Sequence, residues 1–296
     1  MSKGLLDPKV DFVFKNIFGS PNHPEILISF LNATLKAKKK IVNVDIKKTD
    51  IEKQYIEDKY SRLDVKATTS NDEIINIEIQ LKNENNMVKR SLYYLSKMYE
   101  EQLNEKEDYS KLVRTVCINI LNFKYLKTDN FHTGYRFKEI ESNEELTDIM
   151  EVHFIEIPKL QDSSDEKDML VAWTEFLKDP ESEKVRGLEL SIEEIRQAKD
   201  ELIRMSNDST QRELYDMRAN SLRDKMSELN AAERKGIEKG REEGREEGRK
   251  EGRKEGIEEG RKEEKIKIAR NMKLSGLDTN TIAKITNLSE GEINKL

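Results

Sequence analysis

The sequence predicts an α/β fold in which a mixed sheet is flanked by helices and followed by a helical C-terminal extension. The first observation is strict apolar alternation over residues 61–82, which is typical of a β-hairpin with one buried face. The second is the order of the surrounding patterns, α-β-β-β-α-β, which would cover that hairpin with helices. The third is a charged segment near the C-terminus with glycine at every fourth position.

The composition separates a packed core from an extension. Of 296 residues, 38% are charged and 35% are hydrophobic, whereas globular domains have about 25% and about 45–50%. A single core from end to end is therefore excluded, and so is a membrane span, because no window of about 20 residues lacks charge. The polar N-terminus predicts no signal peptide. The single cysteine excludes an intrachain disulfide and fits a reducing cytosol, so a cytoplasmic location is expected.

The net charge of −6 is distributed unevenly and suggests four segments. Residues 1–140 carry a net +4 and form the predicted core, and residues 141–232 carry −12 and form an acidic, mostly helical region that completes it. Residues 233–265 carry zero net charge, and residues 266–296 carry +2 and form a small helical tail. A polyanion could approach the first segment but would be repelled by the second.

Hydrophobic spacing predicts the elements of the core in order. Helices are expected over 9–18 and over 24–36, with Pro24 in the first turn of the second helix. The elements expected after them are a strand near 41–46, the hairpin over 61–82, a helix over 87–103, strands over 112–121 and 150–157, and mostly helical segments over 166–178 and 189–229.

The glycine repeat and the tail each leave alternatives open. Each glycine in a helix costs about 1 kcal/mol relative to alanine, so residues 233–265 are predicted to form a marginal helix or an extended, solvated spacer. The alternative is that a partner helix packs on the glycines, which would make the chain a self-associating scaffold or homo-oligomer. The tail has a helix-turn-helix pattern, with Asp278 or Thr279 as one cap and a capping box from Ser289 to Glu292. It could contact DNA or serve as a small helical cap or assembly contact.

The register of the hairpin groups its polar residues on one face. Because the apolar residues of both strands are odd-numbered, opposed residue numbers must have an even sum, and a sum of 142 is centred on Asn71 in the turn. This register sets Asp64 opposite Glu78. Two opposed carboxylates repel, whereas Mg²⁺ between them would be stabilised and could serve phosphodiester hydrolysis. The alternative is a hairpin with one solvated face.

Five motifs in a fixed order carry a resemblance that covers nearly the whole chain. They are DPKVDFVFKNIFG (7–19), RLDVKA (62–67), NIEIQ (76–80), KRSLYYLSKMYEEQL (89–103) and DYSKLVRTVCINILNF (108–123). With the glycine-every-four segment and the short helical end, they resemble the Rpn family of recombination-promoting nucleases and transposases, within the PD-(D/E)XK nuclease superfamily. The resemblance implies a restriction-endonuclease-like fold and Mg²⁺-dependent endonuclease cleavage of DNA, linked to recombination or transposition-like events.

The resemblance also implies roles for individual side chains. Asp64 and Glu78 would hold the metal, with Asp11 as a further acidic ligand or, alternatively, a surface or capping carboxylate. Gln80 occupies the place of the superfamily's lysine and would position water, and Leu63 stands where its proline is expected.

Four basic residues complete these expectations. Lys66 and Lys82 share the polar face by parity and could supply the positive charge that Gln80 lacks. Lys89 and Arg90 open the following helix and could contact DNA phosphates or remain solvated. Because Gln80 replaces a lysine, the alternative function is that of a catalytically weak or inactive DNA-binding relative.

Overall fold

The computed structural model describes residues 4–36, 39–47, 65–83, 85–165 and 167–296. The chain forms two compact units, Met1–Asp224 and Lys225–Leu296. Within the described part of the chain, no helix is both long enough and apolar enough to cross a membrane.

The elements of the first unit follow the predicted order. The first two helices and the first three strands are α1 (Asp11–Phe18), α2 (Pro24–Leu35), β1 (Val44–Lys47), β2 (Val65–Thr69) and β3 (Ile74–Gln80). They are followed by α3 (Met87–Glu100), β4 (Thr115–Leu121), β5 (His132–Lys138), β6 (Glu145–Glu156), α4 (Met169–Lys178), α5 (Glu183–Glu189) and α6 (Glu193–Asn207). A long helix, α7 (Ser209–Leu274), then begins.

The six strands form one mixed sheet in the order β1-β2-β3-β4-β6-β5. The pairs β3–β4 and β4–β6 are parallel, and the other pairs are antiparallel. In the hairpin, Val65 opposes Ile77 and Lys66 opposes Asn76, so the predicted register is confirmed for the described pairs. Asp64, which the sequence sets opposite Glu78, lies outside the described residues.

One face of the sheet, the large-core face, carries the odd-numbered residues of β3 and packs on most of the helices. Apolar side chains of α1, α2, α4, α5 and α6 join Val65, Ile75 and Ile77 in one buried cluster. Trp173 lies at its centre, with its ring centroid 5.3 Å from that of Phe18. The acidic segment thus supplies helices to the core of the first unit.

The opposite face of the sheet, the α3 face, carries the even-numbered residues of β3. Its apolar part consists of Met87, Leu95 and Met98 of α3, packed on β4 and β6 side chains that include Cys117 and Phe154. The hydrophobic period of α3 explains this docking, because residues three and four apart share one side of a helix. Polar residues of β3 therefore lie beneath a helix rather than in open solvent.

Three local differences from the predicted elements have physical causes. The first strand begins at Val44, later than expected, because the Asn32 side chain bonds both backbone groups of Ile41 in place of a neighbouring strand. The edge strand β5 was not predicted, since most of its side chains are exposed or half-buried and lack alternation. The pairing of β5 also extends β6 back to Glu145, beyond the predicted 150–157.

The second unit contains most of α7, with α8 (Thr279–Thr286) and α9 (Glu290–Asn294) after it. The helix α7 continues through the glycine repeat, so the helical alternative is correct and the extended one is wrong. The seven repeat glycines meet no other described atom within 4 Å of an added Cβ. Asp278 caps α8, and Ser289 and Glu292 form the predicted capping box of α9.

Candidate active site

Glu78 is the acidic residue on the α3 face of β3, and it is almost completely removed from solvent. Its side chain is 1% exposed. It lies near the carboxyl end of a central strand, beside Asn119 in the parallel register with β4. The alternation of β3 requires this orientation, because Ile77 and Ile79 must point into the large core.

Arg90 of α3 is the charged partner of Glu78. Its Nε lies 3.3 Å from Glu78 Oε2, and its side chain is 27% exposed. The guanidinium carbon also lies 5.4 Å from the ring centroid of Tyr94, one helical turn further on, at a distance typical of a cation–π contact. The ion pair therefore has a buried anionic end and a partly solvated cationic end.

Both carboxylate oxygens of Glu78 are orphaned. Neither accepts a hydrogen bond of complete geometry from the described residues. Burial raises the pKa of Glu78 to about 7, although the charge of Arg90 and the nearby donor groups of Arg90 and Asn76 oppose the rise. A buried carboxylate with so few donors is costly unless a cation or a proton satisfies it.

Two asparagines and a serine line the same layer. Asn119 accepts a hydrogen bond of 2.8 Å from Ser91 and donates one of 3.1 Å to the backbone carbonyl of His153. Asn76 donates to the Cys117 sulfur at 3.9 Å, and its carbonyl oxygen has no described partner. Burial raises the pKa of the Cys117 thiol to about 12, so this thiol is inert as a nucleophile. The layer therefore contains orphaned oxygens besides those of Glu78.

The lysine and glutamine residues that the sequence predicts for the site lie around this polar layer. Lys66 shares the hairpin's polar face, with its Nζ 3.7 Å from Glu101 of the loop after α3. Gln80 is the half-buried last residue of β3, and Lys82 follows beyond the end of the strand. Lys89 is exposed on α3. The structure thus brings Arg90 to Glu78 and sets Lys66 and Gln80 on the same side of the sheet.

Asp11 lies on the opposite side of the sheet from the α3 face. It is the first residue of α1, a helix that packs on the large-core face of the sheet, opposite to Glu78. Its Oδ2 lies 3.0 Å from Nη1 of Arg218, and its Oδ1 accepts from the Phe12 amide at 2.7 Å. These contacts agree with the surface or capping alternative for Asp11.

Sequence reasoning missed a second polar cluster, which is centred on Glu151 of β6 on the large-core face. Arg114 bridges Glu73 and Glu151, and Arg136 Nε lies 3.0 Å from Glu151 Oε2. The other Glu151 oxygen lies 2.7 Å from His153 Nε2. We call this set, with its outer member His132, the Glu151 cluster.

The two histidines of the Glu151 cluster, His132 and His153, contact each other. His132 Nε2 lies 2.9 Å from His153 Nδ1, and their rings stack with centroids 5.1 Å apart. Burial lowers the pKa of His132 to about 4, with His153 acting in the same direction. Burial acts to raise the pKa of Glu151, but hydrogen bonds from His153, Arg114 and Arg136 outweigh it and lower that pKa to about 2.

The donor set around Glu78 suits a hard divalent cation. Its orphaned atoms are carboxylate and amide oxygens, which are the ligands that Mg²⁺ takes in proteins. Within the described ranges, no group of three or more His, Cys, Asp and Glu side chains is placed to hold a metal ion. Of the two acidic ligands predicted on this face, the structure describes Glu78, whereas Asp64 lies outside those ranges.

Comparison with known protein families identifies the family to which the chain belongs. The family model for PD-(D/E)XK nuclease family transposases matches residues 8–232, most of the chain. The chain belongs to this family. The C-terminal helix-turn-helix domain of the Rpn/YhgA-like nuclease family matches residues 262–296, so the predicted Rpn family is confirmed.

Membership of the PD-(D/E)XK family explains the architecture. A six-stranded mixed sheet with helices on both faces is a restriction-endonuclease-like fold, as predicted. The family and its helix-turn-helix domain indicate a nuclease or transposase type of function with DNA as partner. No curated protein and no solved structure gives a significant match to the chain.

Proposed function

We propose that the chain is a Mg²⁺-dependent, cytoplasmic DNA endonuclease that acts in recombination or transposition-like events. The observation that carries the proposal is the buried Glu78 carboxylate, whose two oxygens accept no hydrogen bond of complete geometry from the described residues. A structural glutamate at such a depth would be surrounded by donors. A carboxylate that binds a cation would instead have oxygens without hydrogen-bond donors in the metal-free protein.

The proposed roles follow from position on the α3 face. Glu78 and Asp64 would hold the metal, which supplies a more acidic bound water and neutralises charge that develops on the phosphate. The Gln80 amide would orient that water, because a neutral amide both donates and accepts hydrogen bonds. Lys66 or Lys82 would contribute the positive charge that Gln80 lacks. Asp11 has no part in this proposal, since Arg218 holds its carboxylate.

A second candidate function is DNA binding with little or no cleavage. Gln80 favours it, because an amide cannot provide the electrostatic stabilisation of a lysine at this place in the motif. The helix-turn-helix match over residues 262–296 also suits binding without chemistry.

A plasmid assay separates the two candidates. The full chain is incubated with supercoiled DNA in Mg²⁺ and in EDTA, as wild type, Asp64→Ala and Glu78→Gln. The matched control is Asp45→Asn on β1, where the carboxylate is exposed and bound only by Lys47 in the described contacts. Nicking in Mg²⁺ that both site variants abolish supports the endonuclease.

The contrary results are also specific. Nicking that survives Asp64→Ala removes the proposed site. A wild-type chain that retards DNA in a gel but leaves it intact in Mg²⁺ establishes the second candidate instead.

A further inference from the structure

Arg90 is the cationic half of the ion pair, and its Nε makes no hydrogen bond of complete geometry with Glu78. Its Nε lies 3.3 Å from one carboxylate oxygen of Glu78. A fork-shaped pairing would use two N–H groups on two oxygens and would be stronger. In the Glu151 cluster, Arg114 instead uses both terminal nitrogens, one for Glu73 and one for Glu151.

The position of Arg90 also offers the guanidinium a way out of the pair. Its side chain is 27% exposed, whereas that of Glu78 is 1% exposed. The Tyr94 ring, 5.4 Å from the guanidinium carbon, supports the cation without the help of Glu78. Arg90 can therefore leave the carboxylate and remain at the edge of the site.

A divalent cation and a guanidinium compete for the same carboxylate. Two positive charges within a few ångströms of one another are unfavourable, so a metal on Glu78 weakens its pairing with Arg90. A guanidinium released at that point lies beside a metal that would bind DNA. Its planar set of N–H donors matches phosphate oxygens.

We propose that Arg90 is the resident counter-ion of Glu78, that a divalent cation displaces it, and that the displaced guanidinium binds a phosphate of the DNA. This inference rests on the proposed function and adds an ordered exchange of partners to it. Arg90 holds the carboxylate ready in the metal-free site and contributes to substrate binding only after the metal has entered.

The test uses two measurements that a purely structural role would move in the same direction. Ca²⁺, a hard cation with oxygen ligands, is titrated calorimetrically into the full chain at pH 8.5, and plasmid nicking is measured in saturating Mg²⁺. In Arg90→Gln we expect Ca²⁺ to bind about tenfold more tightly, because a competing charge is gone. We expect nicking to fall about 10- to 100-fold, because a charged hydrogen bond to phosphate is lost.

Matched variants sharpen these expectations. Arg90→Lys keeps the competing charge, so its Ca²⁺ affinity should stay near that of wild type while nicking falls. Lys97→Gln removes a half-exposed charge of the same helix, one that pairs with Glu100, and should change neither quantity. If Arg90→Gln does not fold, Arg90→Met keeps the aliphatic stem on Tyr94 and carries the same expectations.

The failures can be distinguished. If Glu78→Gln abolishes Ca²⁺ binding but Arg90→Gln leaves Ca²⁺ affinity unchanged or weaker, the counter-ion proposal is wrong and the metal site stands. If Glu78→Gln binds Ca²⁺ as tightly as wild type, the metal site of the proposed function is wrong, and the Arg90 proposal is overturned with it.

Discussion

Glu78 and Glu151 are two buried glutamates on opposite faces of one sheet, and their surroundings differ in almost every respect. Glu151 is bound by two arginines and a histidine, which hold its pKa at about 2 despite burial. Glu78 pairs with Arg90 but accepts no hydrogen bond of complete geometry from the described residues, and burial raises its pKa to about 7. Both carboxylates lie in the same fold, so depth alone does not explain the difference.

The difference distinguishes a structural role for one carboxylate from a ligand-binding role for the other. A buried charge whose oxygens are all satisfied fixes the strands and helices that supply its donors. A buried charge left with orphaned oxygens lowers stability and is retained where a ligand completes it. The comparison therefore assigns Glu151 to the fold and Glu78 to the proposed chemistry, and it can be tested from both sides.

The largest expected effect belongs to Glu151→Gln. Removing this charge leaves Arg114 and Arg136 without their shared partner, so we expect unfolding free energy to fall by about 3–5 kcal/mol. Urea denaturation followed by circular dichroism measures it. The control Glu145→Gln removes the other, more exposed partner of Arg136 and should cost less than about 1 kcal/mol. Equal losses for the two variants would contradict the assignment of Glu151 to the fold.

The next effect is a pH dependence of stability from His132. Its pKa is about 4 in the folded chain against an ordinary 6.5. The folded state therefore resists protonation of His132. The contribution of neutral His132 to the free energy of unfolding is complete above pH 6.5 and is lost as the pH falls towards 4. We expect His132→Gln to reduce the change in unfolding free energy between pH 6.5 and pH 4 by up to about 3 kcal/mol.

Urea midpoints between pH 7.5 and 4 measure this difference. His23→Gln, at a half-exposed histidine beside Glu25, serves as the control for loss of a histidine. Parallel slopes for wild type and His132→Gln would show that His132 does not titrate as described.

A smaller effect of opposite sign is expected for Glu78→Gln. At pH 8 this substitution removes a buried carboxylate that lacks hydrogen bonds, and Arg90 can turn to solvent. We expect stability to stay constant or rise by up to about 1 kcal/mol, while nicking is lost. Thermal unfolding without divalent cations measures it. A loss of stability as large as that of Glu151→Gln would erase the distinction between the two carboxylates.

The smallest effect concerns the room left for the His153 ring. A Cβ on Gly134 would lie 3.0 Å from Cε1 of that ring, and the ring is held on both sides by Glu151 and His132. Gly134→Ala should therefore cost about 1 kcal/mol. Gly187→Ala in α5, where no described atom lies within 4 Å of the added Cβ, should instead gain about 0.5–1 kcal/mol. A gain of stability in Gly134→Ala would mean that the rings of His132 and His153 can move away from the added methyl group.

Much of the fold was predictable because its strands and helices have clear periods. Val65 and Ile77 could be paired from alternation alone, since a slip of one residue would expose a whole apolar row. That register also grouped Lys66 and Glu78 on one face. The edge strand β5 could not be predicted, because its exposed side chains carry no alternation.

The missed contacts are those between residues distant in sequence. Glu73, Arg114 and Glu151 come from three separate strands or loops and have no local signal. Arg90 was considered for phosphate binding or solvent, and its pairing with Glu78 depends on how α3 crosses β3. The polar Asn119 within an apolar strand was the available signal for a buried polar layer on that face.

The glycines of α7 carry a geometric consequence for any partner. A helix advances about 100° per residue, so positions four apart are rotated by about 40°. From Gly236 to Gly260 the glycine track winds about 240° around the helix axis. A straight rod laid alongside could meet only a few consecutive members of the track, whereas a strand or helix that follows all seven would have to coil around α7.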